Sequence, residues 1–112
     1  MTAERFGALD LAATTNTFLM SSPSGSDCTV NVSFANRNST EVMIRLALVD
    51  EVMATAVANL SDEDYLEYDT EILGNEVLER TGIVVPEDHS LVVFSNTASV
   101  SVIAYGFQEA RI

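Results

Sequence analysis

Apolar and polar side chains alternate with a period of two along much of this chain, the spacing of half-buried β-strands. In Thr29 to Phe34 the residues Val30, Val32 and Phe34 point one way and Thr29, Asn31 and Ser33 the other. A turn follows at Asn36-Arg37-Asn38-Ser39. The next run sets Val42, Ile44, Leu46 and Leu48 against Met43, Arg45, Ala47 and Val49, so it is apolar on much of both faces. A strand of that kind is expected at the centre of a sheet or at an interface.

From Val52 to Leu60 the spacing changes. Val52, Met53, Ala56, Val57 and Leu60 recur at roughly helical intervals, and Ala54 and Ala58 favour helix, so a short helix or packed loop is predicted there. Alternation returns in Tyr65 to Ile72, and Gly74-Asn75 before Val77 to Val85 is a two-residue hairpin signal. Pro86-Glu87-Asp88-His89 has turn chemistry. Two further strand-like runs, Leu91 to Phe94 and Ser99 to Phe107, flank the turn Ser95-Asn96-Thr97. With Thr17 to Met20 as the first strand, the pattern predicts about seven short strands and one possible short helix. That combination is expected to form an all-β fold, an antiparallel β-sandwich of jelly-roll-like kind.

The first residues read differently. They are rich in Ala and Thr and carry Phe6, Leu9 and Leu11 without a clear period, before the turn SSPSGS. Residues 1–15 are therefore expected to be an N-terminal arm and 16–112 the sandwich domain, with Phe6, Leu9 and Leu11 available to a partner. Arg45 is a second interface candidate. It is the lone charge in an apolar strand face, and such an arginine calls for a carboxylate from its own sheet or a neighbouring subunit.

Charge narrows the choice of partners. Five arginines and no lysine face seventeen acids, for a formal net charge of −12 over 112 residues. Phosphate backbones and anionic lipids bind by having their charge neutralised by Lys and Arg, so neither nucleic acid nor membrane is an expected partner. The single cysteine, Cys28, cannot close an intramolecular disulfide and is expected to be a small buried hydrophobe. The N-terminal residues show no basic region followed by a long apolar run, and no stretch has the roughly 18 apolar residues of a membrane span. Synthesis in the cytoplasm is the expectation.

Candidate chemistry is sparse. The acids Asp62-Glu63-Asp64, continuing to Glu67, Asp69 and Glu71, lack the glycine-centred spacing of a calcium loop and read as a solvated acidic face. His89 is the only histidine and reads as an exposed turn residue. There is no nucleophile elbow, phosphate-binding loop or dinucleotide fingerprint. No catalytic residue, cofactor or metal is expected, and no enzymatic activity. Two glycosylation sequons, at Asn31 and Asn38, read as chance matches. Tyr65, Tyr68, Phe94, Tyr105 and Phe107 are open to two readings, a sugar platform or cross-strand packing, and their alternation favours packing.

The segments LAATTNTFLMSSPSG, VNVSFANRNSTEVMIRLALVD, YLEYDTEILGNEVLERTGIVV and VVFSNTASVSVIAYGFQE resemble a family of small virion structural proteins of tailed bacteriophages, especially cyanophage-like marine phages. The likeness spans nearly the whole chain except the Asp50 to Asp64 connection, and its motifs are structural. It implies a non-enzymatic virion component, decorating the capsid or belonging to the neck or tail. It also implies binding to other phage structural proteins, capsid, neck or tail, in multiple copies as a homo-oligomer, and a place in the virion after synthesis in the host cytoplasm. A carbohydrate- or receptor-binding tail fibre module is the alternative. A non-viral secreted adhesion domain is a further one, disfavoured by the missing signal peptide.

Overall fold

The computed structural model describes residues 1–111 and has eight strands: β1 (Thr2–Asp10), β2 (Thr17–Ser21), β3 (Ser26–Asn36), β4 (Val42–Val49), β5 (Tyr65–Ile72), β6 (Val77–Val85), β7 (Ser90–Ser95) and β8 (Val100–Ala110). They form two four-stranded antiparallel sheets, ordered β1-β8-β3-β6 and β2-β7-β4-β5. One helical turn, α1 (Met53–Ala56), and a 3₁₀ turn at Asp62–Asp64 lie between β4 and β5.

The pairing has a simple origin. Strands β1, β2, β3 and β4 pair with β8, β7, β6 and β5 respectively, as in one long antiparallel ribbon folded back on itself. Rolling that ribbon up adds the seams β3–β8 and β4–β7. The result is a jelly roll, in which only β4 and β5 are neighbours both in sequence and within a sheet.

Alternation drives the packing. Val30, Val32 and Phe34 of β3 face Ile44 and Leu46 of β4 and Leu91 and Val93 of β7 in the core, joined by Val100, Val102 and Ala104 of β8. Each fully buried side chain of this size contributes about 1.5–3 kcal/mol relative to its exposed state. Cys28 is buried among them.

One local expectation is corrected by the topology. The runs Tyr65–Ile72 and Val77–Val85 do not form a hairpin: β5 pairs with β4 and β6 with β3, in opposite sheets. Gly74 instead passes under the Ser39–Thr40 backbone, where a Cβ would collide with the Ser39 carbonyl, and Asn75 turns at φ 61°. Likewise β7 and β8 flank the Ser95-Asn96-Thr97 turn but belong to opposite sheets. Turn chemistry marks where a chain reverses, and a reversal between sheets uses the same residues as one within a sheet.

The N-terminal arm is corrected too. Residues 2–10 are an edge strand, in register with β8 from Thr2↔Gln108 to Asp10↔Ser101. The register shifts between Arg5 and Gly7, so Phe6 is an extra residue in a β-bulge. That insertion hides the period. Phe6 and Leu9 pack against the core and Leu11 is 3% exposed, so all three contribute to the packing of their own domain.

Asn36 holds the crossover from β3 to β4. It is buried, its Nδ2 donates to the carbonyls of Thr40, Ile72 and Leu73 at 2.9–3.1 Å, and its Oδ1 accepts from the Asn38 backbone N–H at 2.9 Å. One side chain thereby ties the end of one sheet to the start of the other.

Candidate functional site

The outer faces of the two sheets are treated differently by the chain. On the sheet containing β4, the apolar second face seen in the sequence is covered from within. Ala47 and Val49 of β4 and Val92 of β7 pack under Ala56 of α1, with Phe18, Leu60 and Tyr65 at the margin. The Asp50 to Asp64 connection is therefore a flap over its own sheet, and β4 lies centrally between β7 and β5.

Beside that flap, Arg45 has the carboxylate partner expected of it. Its Nε lies 2.7 Å from Asp69 Oδ1 on the adjacent strand β5. The guanidinium carbon is 4.2 Å from the Tyr68 ring centre and 4.5 Å from that of Phe94, so the cation is stacked against two aromatic rings. Asp69 holds its guanidinium pKa above the ordinary arginine value. Tyr65 and Tyr68 meet edge-on, ring centres 4.8 Å apart, and with Asp62 they line a hollow of about 330 Å³.

The acidic run is less free than its sequence implies. Asp64 Oδ2 accepts the Ser61 backbone N–H at 2.9 Å and so caps the 3₁₀ turn, while Glu67 pairs with Arg80 and Asp69 with Arg45. Only part of it is a solvated face. His89 is half-buried, with Nε2 3.3 Å from Asp50 Oδ1 and Nδ1 2.9 Å from the Glu87 carbonyl. Among the described residues no group of three His, Cys, Asp or Glu side chains could hold a metal ion, and no helix is long and apolar enough to cross a membrane.

The outer face of the other sheet is bare. Register places its outward side chains in four rows across the strands, Asp10–Ser101–Ala35–Val77, Ala8–Ile103–Ser33–Glu79, Arg5–Tyr105–Asn31, and Ala3–Phe107–Thr29–Val84, with the charged pair Asp27–Glu109 beyond the last. Ile103, Tyr105 and Phe107 form a stripe along β8 at 40%, 38% and 46% exposure, with Val84 at 59% and Val77 at 58% on β6. Beside the stripe, β3 offers only Thr29, Asn31, Ser33 and Ala35. Gly106 lets the two strands run this close, since a Cβ there would strike the Thr29 carbonyl. A shallow hollow of about 460 Å³ opens between Arg5, Asn31, Tyr105 and Phe107.

Charge on this face is sparse and specific. Asp10 is engaged by Arg37. The Tyr105 hydroxyl donates to Glu79 Oε1 at 2.9 Å, and this bond holds the phenol above its usual pKa. Four arginines are committed elsewhere: Arg37 to Asp10, Arg45 to Asp69, Arg80 to Glu67, and Arg111 to Asp27 and Glu87. Arg111 in turn holds the Asp27 carboxyl below the usual range. Among the described residues, Arg5 is the arginine without an ion pair, and it lies in the hollow of the bare face.

Of the two carboxylate sources that the sequence left open for Arg45, its own sheet supplies one in Asp69, while the sequence gave no warning of the face on β8. Val100, Val102 and Ala104 fill the core while Ile103, Tyr105 and Phe107 point outward. β8 is apolar on both faces, as β4 is, but that pattern does not say which of the two second faces is covered. Comparison of the chain with protein-family models, with curated proteins and with solved structures gives no match.

Proposed function

We propose that this protein is a structural, non-enzymatic component of a tailed-bacteriophage virion, a capsid decoration or neck or tail protein that binds other virion proteins in multiple copies. The observation that carries the reading is the bare apolar face of the β1-β8-β3-β6 sheet. Isolated exposed hydrophobes are ordinary, but a contiguous stripe of an isoleucine, a tyrosine and a phenylalanine on a chain of net charge −12 is the mark of a surface that binds protein. The jelly roll is compatible, since it recurs in viral capsid proteins, although a fold by itself does not assign a function. The virion setting rests on the resemblance of the NRNST, YLEYDT, LERTGIVV and VSVIAYGF segments described above.

Antibody raised against the recombinant protein, with quantitative blotting of purified particles, tests this. A fixed, high copy number per particle is expected. Absence of the protein from purified virions contradicts it.

The Tyr65–Tyr68 pair supports a second reading, a carbohydrate- or receptor-binding module of a tail fibre. An exposed aromatic ring beside a carboxylate, here Tyr68 and Asp62, suits a sugar's apolar face and its hydroxyls. Glycan-array binding that is lost in Tyr68→Ala would establish that reading over the first.

A further inference from the structure

We infer that the occupant of the bare face is a second copy of this chain, docked face to face about a two-fold axis that runs parallel to the strands between β8 and β3. The inference rests on the reading of this face as a protein-binding surface and names its partner.

Shape points to self-association. On this face a row of large side chains, Ile103, Tyr105 and Phe107 on β8, lies directly beside a row of small ones, Ser33, Asn31 and Thr29 on β3, matched pair by pair in register. The proposed axis lays β8 of one copy over β3 of the other. Ile103 then sits over Ser33 of the second copy and Phe107 over Thr29, while Tyr105 leans across its own β3 to reach Glu79. Large opposes small at the Ile103 and Phe107 levels, as in a packed sandwich core. A two-fold interface requires such self-complementarity, because each contact must recur with the roles exchanged.

Charge points the same way. The free cation Arg5 stands on β1 at one edge of the face, and Glu79, which has a hydroxyl partner but no cation, stands on β6 at the other. Within one chain they are three strand spacings apart, about 14 Å, and cannot pair. The axis that interleaves large and small rows also lays β1 over β6, and so brings Arg5 of each copy to Glu79 of the other, one row away along the strand. Within the four rows these are the only unpaired charged side chains. Two chains of net charge −12 can meet over these four rows because each carries little net charge there; beyond them the same axis sets Glu109 over Asp27 of the other copy, whose charge Arg111 offsets.

Sedimentation velocity on the purified full-length protein, at concentrations up to about 100 μM, provides the test, with thermal melts confirming that each variant is folded. The wild-type protein is expected to dimerise. Arg5→Glu and Glu79→Arg should each weaken the dimer at least about tenfold, and the two combined should recover wild-type affinity to within about threefold. Ser33→Tyr, which fills the small row opposite Ile103, should abolish the dimer through shape alone. A wild-type protein that stays monomeric over this range overturns the inference, as does a charge swap no better than its single variants. The two readings fail separately. A monomer found in virions means that another virion protein covers the face, whereas a dimer missing from virions refutes the virion role and leaves the self-association standing.

Discussion

Arg45 and Asp69, on neighbouring strands and 24 residues apart, form an ion pair of 2.7 Å whose cation is stacked against Tyr68 and Phe94. Asp69 holds φ at 52°, an uncommon conformation for a non-glycine residue, so its backbone is bent at the point where its carboxylate meets Arg45. Because the pair is partly exposed, the ionic contact contributes below about 1 kcal/mol, and the two ring contacts add about 0.5–1 kcal/mol each.

Arg45→Ala is therefore expected to cost about 1–2 kcal/mol, a Tm decrease of about 5–10 °C for a domain of this size. Arg45→Lys should recover less than half of it, since lysine loses the planar stacking. Calorimetry checks both. A change of under about 1 °C in Arg45→Ala would show that the stack contributes nothing to stability.

Leu11 and β1 provide a sharper test of the fold. Leu11→Ala leaves a cavity in the core and is expected to cost about 2–4 kcal/mol. Deleting residues 1–11 also uncovers the β8 edge, and the truncated protein should lose cooperative unfolding or aggregate. A truncated protein that melts like the full chain would mean that the N-terminal segment is a detachable arm.

These outcomes bear on how much of the fold the sequence disclosed. Strand positions from Thr17 onward were legible because alternation or short apolar runs bounded by turn residues mark them in spite of local register shifts, and the antiparallel sandwich followed from them. Strand β1 was not, because the bulge at Phe6 inserts one residue and shifts the period halfway along it. Pairing was illegible for another reason. Alternation says which side chains are buried but not which strand lies beside which, so Gly74-Asn75 reads as a local hairpin although, like the Ser95-Asn96-Thr97 turn, it carries the chain between sheets. At the candidate site, Arg45 could be read because a lone charge in an apolar face demands a partner. The bare face could not, because exposing it depends on the flap covering the other sheet and not this one.

Tyr105 supplies a pH-dependent signature of the bare face. The hydroxyl's bond to Glu79, with partial desolvation and the carboxylate's charge, raises its pKa above the ordinary value of about 10. The folded value lies above the unfolded one, so this contribution to stability is fully present below pH of about 10 and is lost as pH rises through the raised value. Ultraviolet titration of tyrosinate should show Tyr105, assigned by comparison with Tyr105→Phe, ionising later in the wild-type protein than in Glu79→Gln. Identical titration curves would mean that the bond does not persist in solution.

The most direct measurement is incorporation into particles of aspartate variants placed on different faces. Ile103→Asp combined with Phe107→Asp puts two charges on the bare face, and Met53→Asp puts one on the exposed side of α1. Both sets of positions are exposed, so folding should survive in each, as checked by melting. If the β1-β8-β3-β6 face is the assembly surface, the double variant is lost from purified virions while Met53→Asp is retained at wild-type copy number. Equal incorporation of the two variants would contradict it.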